Sequence, residues 1–202
     1  DLYDLADEYK QELQLLKPDQ LNGYEHALLN VFNRYSNDLA KHCEFIGRHK
    51  HFTHNDSIWP SGDKRKIHIG NSLGSAEAWT DGRTFIALDR EVVDVCIKRR
   101  SDGIMYLLLL VLHEYMHTTG SVSENVHGAD FYELFHEVVI SPTLRGKKYG
   151  GLHALAKKCS IEFIRELNAK GLKTSAAFVQ DVGFVSNKHI DRVLESRSEE
   201  HT

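Results

Sequence analysis

The chain has 202 residues, enough for one well-packed domain and short for two. Hydrophobic residues make up 41% and charged residues 27%, the balance of an ordinary globular protein. A formal net charge of -4 argues against a surface built throughout for nucleic acid, and three cysteines with no C-x-x-C pair exclude a Cys-based zinc ribbon and argue against a disulfide framework.

From the N-terminus, Leu2, Leu5, Tyr9, Leu13 and Leu16 recur at threes and fours and predict a short amphipathic helix. Lys17-Pro18-Asp19 breaks it, with Pro18 suited to the first turn of the next. Leu21, Tyr24, Leu28, Phe32, Tyr35, Leu39, Cys43 and Ile46 trace one face of a long second helix. Residues 1–50 thus read as an N-terminal helical region or arm. Residues 51–202 read as the domain that carries the chemistry, the two parts forming one compact unit. Because the chain opens at Asp1 without a Met, it reads as a piece of a longer polypeptide with room for a fused regulatory domain. No leader is expected from its opening residues, and its longest apolar run, nine residues, falls short of the ~20 that span a bilayer. With Cys43, Cys96 and Cys159 as small buried hydrophobes, a reducing, cytoplasmic location without a membrane partner is expected.

Residues 47–63 form a polar loop, and its His49, His51 and His54 lack the helical spacing of a metal site. Residues 66–69 and 84–88 are strand candidates, with Asp81-Gly82 turning the chain before the second. Asp89 caps a helix running to Arg99-Arg100. Ser101 and Asp102 are the expected N-cap of the next, in which residues 104–112 carry almost no polar atom: a helix buried on all sides. Residues 129–139 and 152–169 read as further helices, with Gly146, Gly150 and Gly151 between them. The tail mixes a strand over 176–179 with a helix over 188–194. Lys64-Arg65-Lys66 and residues 145–173, with eight Lys/Arg against two Glu, are basic stretches, and the second reads as a solvated helix face. The second is a weak candidate for contact with nucleic acid.

The apolar helix ends in His113-Glu114-Tyr115-Met116-His117, the H-E-x-x-H pattern. At about 3.6 residues per turn, two His four apart stand nearly above one another and can converge on one ion. Glu114, offset around the helix, is placed to act as general base on an attacking water instead of binding the metal. Thr118-Thr119-Gly120 supplies a helix stop. Ten residues on, His127 offers a third ligand and leaves a fourth position open, the arrangement of a catalytic zinc site. A third ligand from a later helix remains the alternative, with Glu137, Glu133 or Asp130 in reach. A metzincin is excluded, because position 123 is Ser and no Met lies downstream of Met116.

The pattern H-E-x-x-H followed by His127-Gly128-x-x-Phe131-Tyr132-x-Leu134 resembles the SprT-like and WLM (Wss1-like) zinc metallopeptidases over roughly residues 84–139. The resemblance implies a compact α+β fold of the minigluzincin type, mainly helical, with a small mixed sheet packed on the H-E-x-x-H helix, and endopeptidase activity on a protein substrate. Members that act on DNA–protein crosslinks carry further DNA-binding elements, and no Cys-based element of that kind occurs here. Independently of the family, Phe131, Leu134, Phe135 and Val138 make an apolar stripe. Packing that stripe on the 104–112 helix brings His127 toward His113 and His117.

The expected chemistry is zinc-assisted hydrolysis of a peptide bond, with Zn²⁺ on His113, His117 and His127 and with Glu114 as general base. Strand 84–88 is the expected edge to which an extended substrate adds. Tyr132, Tyr149 and His153 are weak candidates for an oxyanion donor. The rival reading is a non-catalytic metal-binding scaffold, or a module that binds nucleic acid or a protein partner. The intact Glu114 tells against it, since a structural metal site has no use for that carboxylate.

Overall fold

The structure, a computed structural model, describes residues 13–49, 60, 62–72, 74–117, 128–144 and 150–182. The fold is α+β and mostly helical. Strands β1 (Leu13–Leu15), β2 (Lys66–Ser72), β3 (Ala78–Thr80) and β4 (Phe85–Asp89) form one mixed sheet in the order β1-β2-β4-β3. The helices are α1 (Gly23–His49), α2 (Arg90–Lys98), α3 (Arg100–Met116), α4 (Ala129–Ile140), α5 (Gly151–Ala169) and α6 (Ala176–Asp181).

Helix α1 opens on a reciprocal cap: Asn22 Oδ1 accepts from Glu25 N, and a Glu25 carboxylate oxygen accepts from Asn22 N at 2.6 Å. Glu25 is fully buried and is matched by Arg90 Nε at 2.6 Å, which fastens the start of α1 to the start of α2. Its apolar face buries Leu28, Val31, Phe32, Leu39 and Cys43 completely. Each large side chain among them contributes about 1.5–3 kcal/mol relative to exposure. The helix lies across β2, α3, α4 and α5, so the face traced in the sequence is the side that meets the core.

Several expectations need correction. Leu13 and Leu15 belong to a strand: Leu13–Leu15 pairs antiparallel with residues 70–72 of β2, and the predicted helix does not form there. Residues 1–12 lie outside the described residues. Helix α1 continues through Gly47, Arg48 and His49, where a loop was expected, and His51 and His54 lie outside the described residues. Residues 176–179 are the start of helix α6, capped by Ser175 Oγ accepting from Phe178 N, and not a strand. The helix expected over 188–194 lies outside the described residues.

Strand β4 is interior. It pairs in parallel with β2 and antiparallel with β3, so the edge beside α3 is β3, and the assignment of 84–88 as the substrate edge was wrong. The Asp81-Gly82 turn before β4 forms as expected: the Asp81 carboxylate accepts from the N–H groups of Arg83, Thr84 and Phe85. Along β2, the stretch beyond β1 is closed by a side chain. Asn33 of α1 accepts from Ile67 N and donates to Ile67 O, both at 2.9 Å.

Asp89 caps α2 as predicted, accepting from Glu91 N and Val92 N. The cap expected at Ser101 and Asp102 does not form. Helix α3 begins directly at Arg100, whose φ of 62° turns the chain sharply out of α2, and Asp102 sits in the first turn, where its charge suits the helix dipole. This abutment brings α2 and α3 into close contact. A Cβ on Gly103 would lie 1.8 Å from Cys96 O, so only glycine fits. Helix α3 then crosses the core with Ile104, Leu107, Leu108, Val111 and Leu112 fully buried, although Tyr106 is exposed, so burial is not on all sides. The sheet packs on α3 through β3 and β4, and α4 and α5 also pack against it. All three cysteines are buried free thiols.

Candidate active site and metal centre

The site sits where α3 ends. Helix α3 stops at Met116, and His117 is its C-cap with extended backbone (φ -72°, ψ 127°), one residue earlier than the expected stop at 118–120. His113 therefore lies in the last helical turn and His117 just beyond it. Their rings still stand together, 5.1 Å between centroids. Ligand atoms of His113, Glu114 and His117 all fall within 4.8 Å of one another, and this is the one such group among the described residues. Glu114 is 7% exposed and the two His are half-buried.

Burial raises the Glu114 carboxyl to about 7, with the nearby Arg65 cation opposing the rise. A carboxyl poised near neutrality is suited to taking and giving a proton. Tyr115, the next residue, anchors the helix: the hydroxyl is 2.6 Å from Ser36 Oγ, donates to Ser36 O and accepts from Arg65 N.

Helix α4 covers the His pair. The Phe131 ring lies 4.9 Å from His113 and 5.2 Å from His117, and Phe135 lies 5.5 Å from His113. Leu134 and Val138 of the same stripe are buried in the core. His42 of α1 is fully buried, and its Nε2 lies 2.9 Å from Val138 O, which ties α4 down from the other side. Burial lowers the His42 pKa, against the opposing effect of that carbonyl.

Among the sequence candidates, then, His113, Glu114 and His117 are brought together, and His127 lies outside the described residues. Gly128, its neighbour, is the N-cap of α4, whose first turn carries Phe131 over the His pair. Glu133 is exposed and Glu137 half-buried, and neither joins the group. The Asp130 side chain is outside the described residues, as is Tyr149. Tyr132 is 56% exposed with its ring edge-on to Phe131, 5.7 Å between centroids, and His153 is exposed.

Arg65 is the residue that the sequence reading missed. Its neighbours Lys64 and Lys66 are exposed, but Arg65 is 1% exposed, with Nη1 2.5 Å from Glu114 O and Nη2 2.7 Å from His117 O. A signal was present: Arg65 shares the parity of Ile67 and Ile69, the inward positions of β2. In the basic strip after 145, Lys157, Lys158 and Arg165 are exposed on α5, while Glu162 and Glu166 reach across to Arg34 of α1.

Comparison of the chain with protein-family models, with curated proteins and with solved structures gives no match.

Proposed function

We propose that the chain is a zinc-dependent endopeptidase of the SprT-like or WLM kind, with His113, His117 and His127 holding the ion and Glu114 as general base. The observation that carries this reading is the convergence of His113, Glu114 and His117 at the C-terminal end of a core helix, under a second helix whose N-cap, Gly128, follows His127. The donor set fits zinc: the imidazoles of His113 and His117 stand close enough to meet one small ion, with the Glu114 carboxylate beside them to act on its water. Such an ion would supply Lewis acidity, polarising the scissile carbonyl and making water nucleophilic near neutral pH.

The protein groups then have distinct tasks. Glu114, buried and poised near pH 7, takes the proton from the attacking water and returns it to the leaving amine. Phe131 and Phe135 shield the His pair on one side. The substrate adds as an extended strand to β3, the edge nearest α3. Asp89 N donates to Glu77 O, which makes 77/89 and, by alternation, 79/87 the hydrogen-bonded pairs; Ala78 and Thr80 thus turn their main-chain groups outward. Main-chain pairing of this kind gives affinity with little sequence preference. A minigluzincin-type packing belongs to the same proposal, supported by a buried α3 with the sheet and α4 against it.

Glu114→Gln tests the reading. The amide is nearly isosteric, so the variant should fold and keep its zinc while peptidase activity falls at least ~10²-fold. Equal activity of wild type and Glu114→Gln in the full-length protein, with any activating ligand present, would overturn it.

A further inference from the structure

We propose that Arg65 is a positioning residue for the metal centre, its guanidinium fork setting where His117 stands; the inference rests on the zinc reading above. The last carbonyls of a helix have no partner within it, and they carry the negative end of its dipole. At the end of α3 Glu114 O accepts from His117 N at 3.3 Å, and the two terminal nitrogens of one side chain reach both Glu114 O and His117 O. A guanidinium is planar and rigid, so binding both oxygens fixes their separation. His117 is the C-cap, just past the helix, and its carbonyl is held at 2.7 Å by Arg65 Nη2. The fork thus holds the main chain on both sides of the helix end, and it keeps the His117 ring beside His113 where α3 stops.

Arg65 is itself locked. Its N–H donates to Tyr115 Oη, its carbonyl accepts from Ser36 Oγ, and its guanidinium carbon lies 5.2 Å from the centroid of the Tyr115 ring. Nη1 also reaches Thr80 Oγ1 at 3.5 Å, which links the end of α3 to the end of β3. Burying a guanidinium is costly unless its donors are used well, and Nε here finds no acceptor among the described residues. The side chain is retained in the core with its two Nη groups spent on the main chain of the His-Glu-x-x-His turn. Holding a ligand's backbone is what that placement accomplishes.

The test is zinc affinity of the full chain, measured by competition with a chelator, together with thermal unfolding of the metal-free protein and the visible spectrum of the cobalt-substituted form. Arg65→Lys keeps the charge and the stem but loses the fork. It should fold and bind zinc roughly 10–100-fold more weakly, the usual loss when a residue supporting a ligand is removed, with an altered cobalt spectrum. Arg65→Ala should be weaker still and should regain affinity with millimolar methylguanidinium. Zinc affinity and cobalt spectrum of Arg65→Lys matching the wild type overturn the inference and leave the peptidase reading standing. Loss of fold in both variants also overturns it, because Arg65 would then be required for folding and not for the site. A wild-type chain that binds no zinc sinks the peptidase reading first, and this inference with it.

Discussion

The Phe131 ring stands edge-on to the His113 imidazole, 4.9 Å between centroids, and so links the first turn of α4 to the last turn of α3. The two helices are separated in sequence by residues 117–128, yet this contact fixes their relative position at the chemistry itself. It also explains why an apolar stripe on α4 matters to a polar site: Leu134 and Val138 seat the helix, and Phe131 and Phe135 carry that seating to the imidazoles.

Phe131→Ala should therefore do two things. Stability should drop by about 2 kcal/mol, less than the 3–5 of a fully buried Phe because the ring is half-buried. Zinc affinity should fall about tenfold as the His113 ring loses its neighbour, while Phe131→Leu keeps most of both. Unchanged metal affinity in the alanine variant, by chelator competition, would show that α4 covers the site without ordering it.

The third ligand is open to direct measurement. Purified wild type should carry about one zinc per chain, and His127→Ala should lose most of it, since a site of this class uses three protein ligands. Glu133→Ala and Glu137→Ala should retain it. Zinc kept by the His127 variant and lost from one of the Glu variants would make the site thermolysin-like.

Asp81 gives a pH dependence that needs no metal. Burial pushes its carboxyl up, but the Thr84 hydroxyl and the N–H groups of Arg83, Thr84 and Phe85 outweigh that and hold it at about 2, below the ordinary 3.8. The folded state thus favours the carboxylate. The stabilisation is complete above about pH 4 and is lost as pH falls through about 2. Asp81 is exposed, so screening limits the effect to about 1 kcal/mol. Asp81→Asn should melt a few degrees below wild type at pH 7, roughly 2–4 °C, and the gap should close on acidification. A gap independent of pH would assign the loss to the turn's shape instead of its charge.

For the substrate edge, Ala78→Pro removes one outward N–H from β3 and leaves the β3–β4 hydrogen bonds in place. Losing one neutral hydrogen bond, about 1 kcal/mol, should raise KM for an extended peptide roughly fivefold with little change in melting temperature. A KM equal to wild type would move substrate binding away from β3.

The features legible in the sequence were those decided locally. The 27 residues of α1 repeat their apolar spacing often enough to be unmistakable, and Asp81 and Asp89 each satisfy main-chain groups within four residues of themselves. The H-E-x-x-H turn belongs here too. What was misread was short and decided by distant partners. Leu13–Leu15 is a strand because Gly70, Asn71 and Ser72 accept it, and residues 176–181 are a helix because Ser175 caps them and Phe178 packs 6.0 Å from Phe163. Three-residue β3 gave no periodic signal at all, so β4 was taken for the edge. Arg65 was hidden by its two exposed lysine neighbours, in a triplet whose composition says surface while its parity says core.

Asn33 has a consequence for how the sheet can grow. Its carboxamide presents to Ile67 one donor and one acceptor, just as a neighbouring strand would, without any strand being there. An extended chain arriving along this stretch of β2 meets a seat already taken, whereas the main-chain groups of Ala78 and Thr80 across the sheet face away from β4. On the proposed reading the sheet therefore has a direction: guests are turned away along this stretch of β2, and the substrate adds on the β3 side.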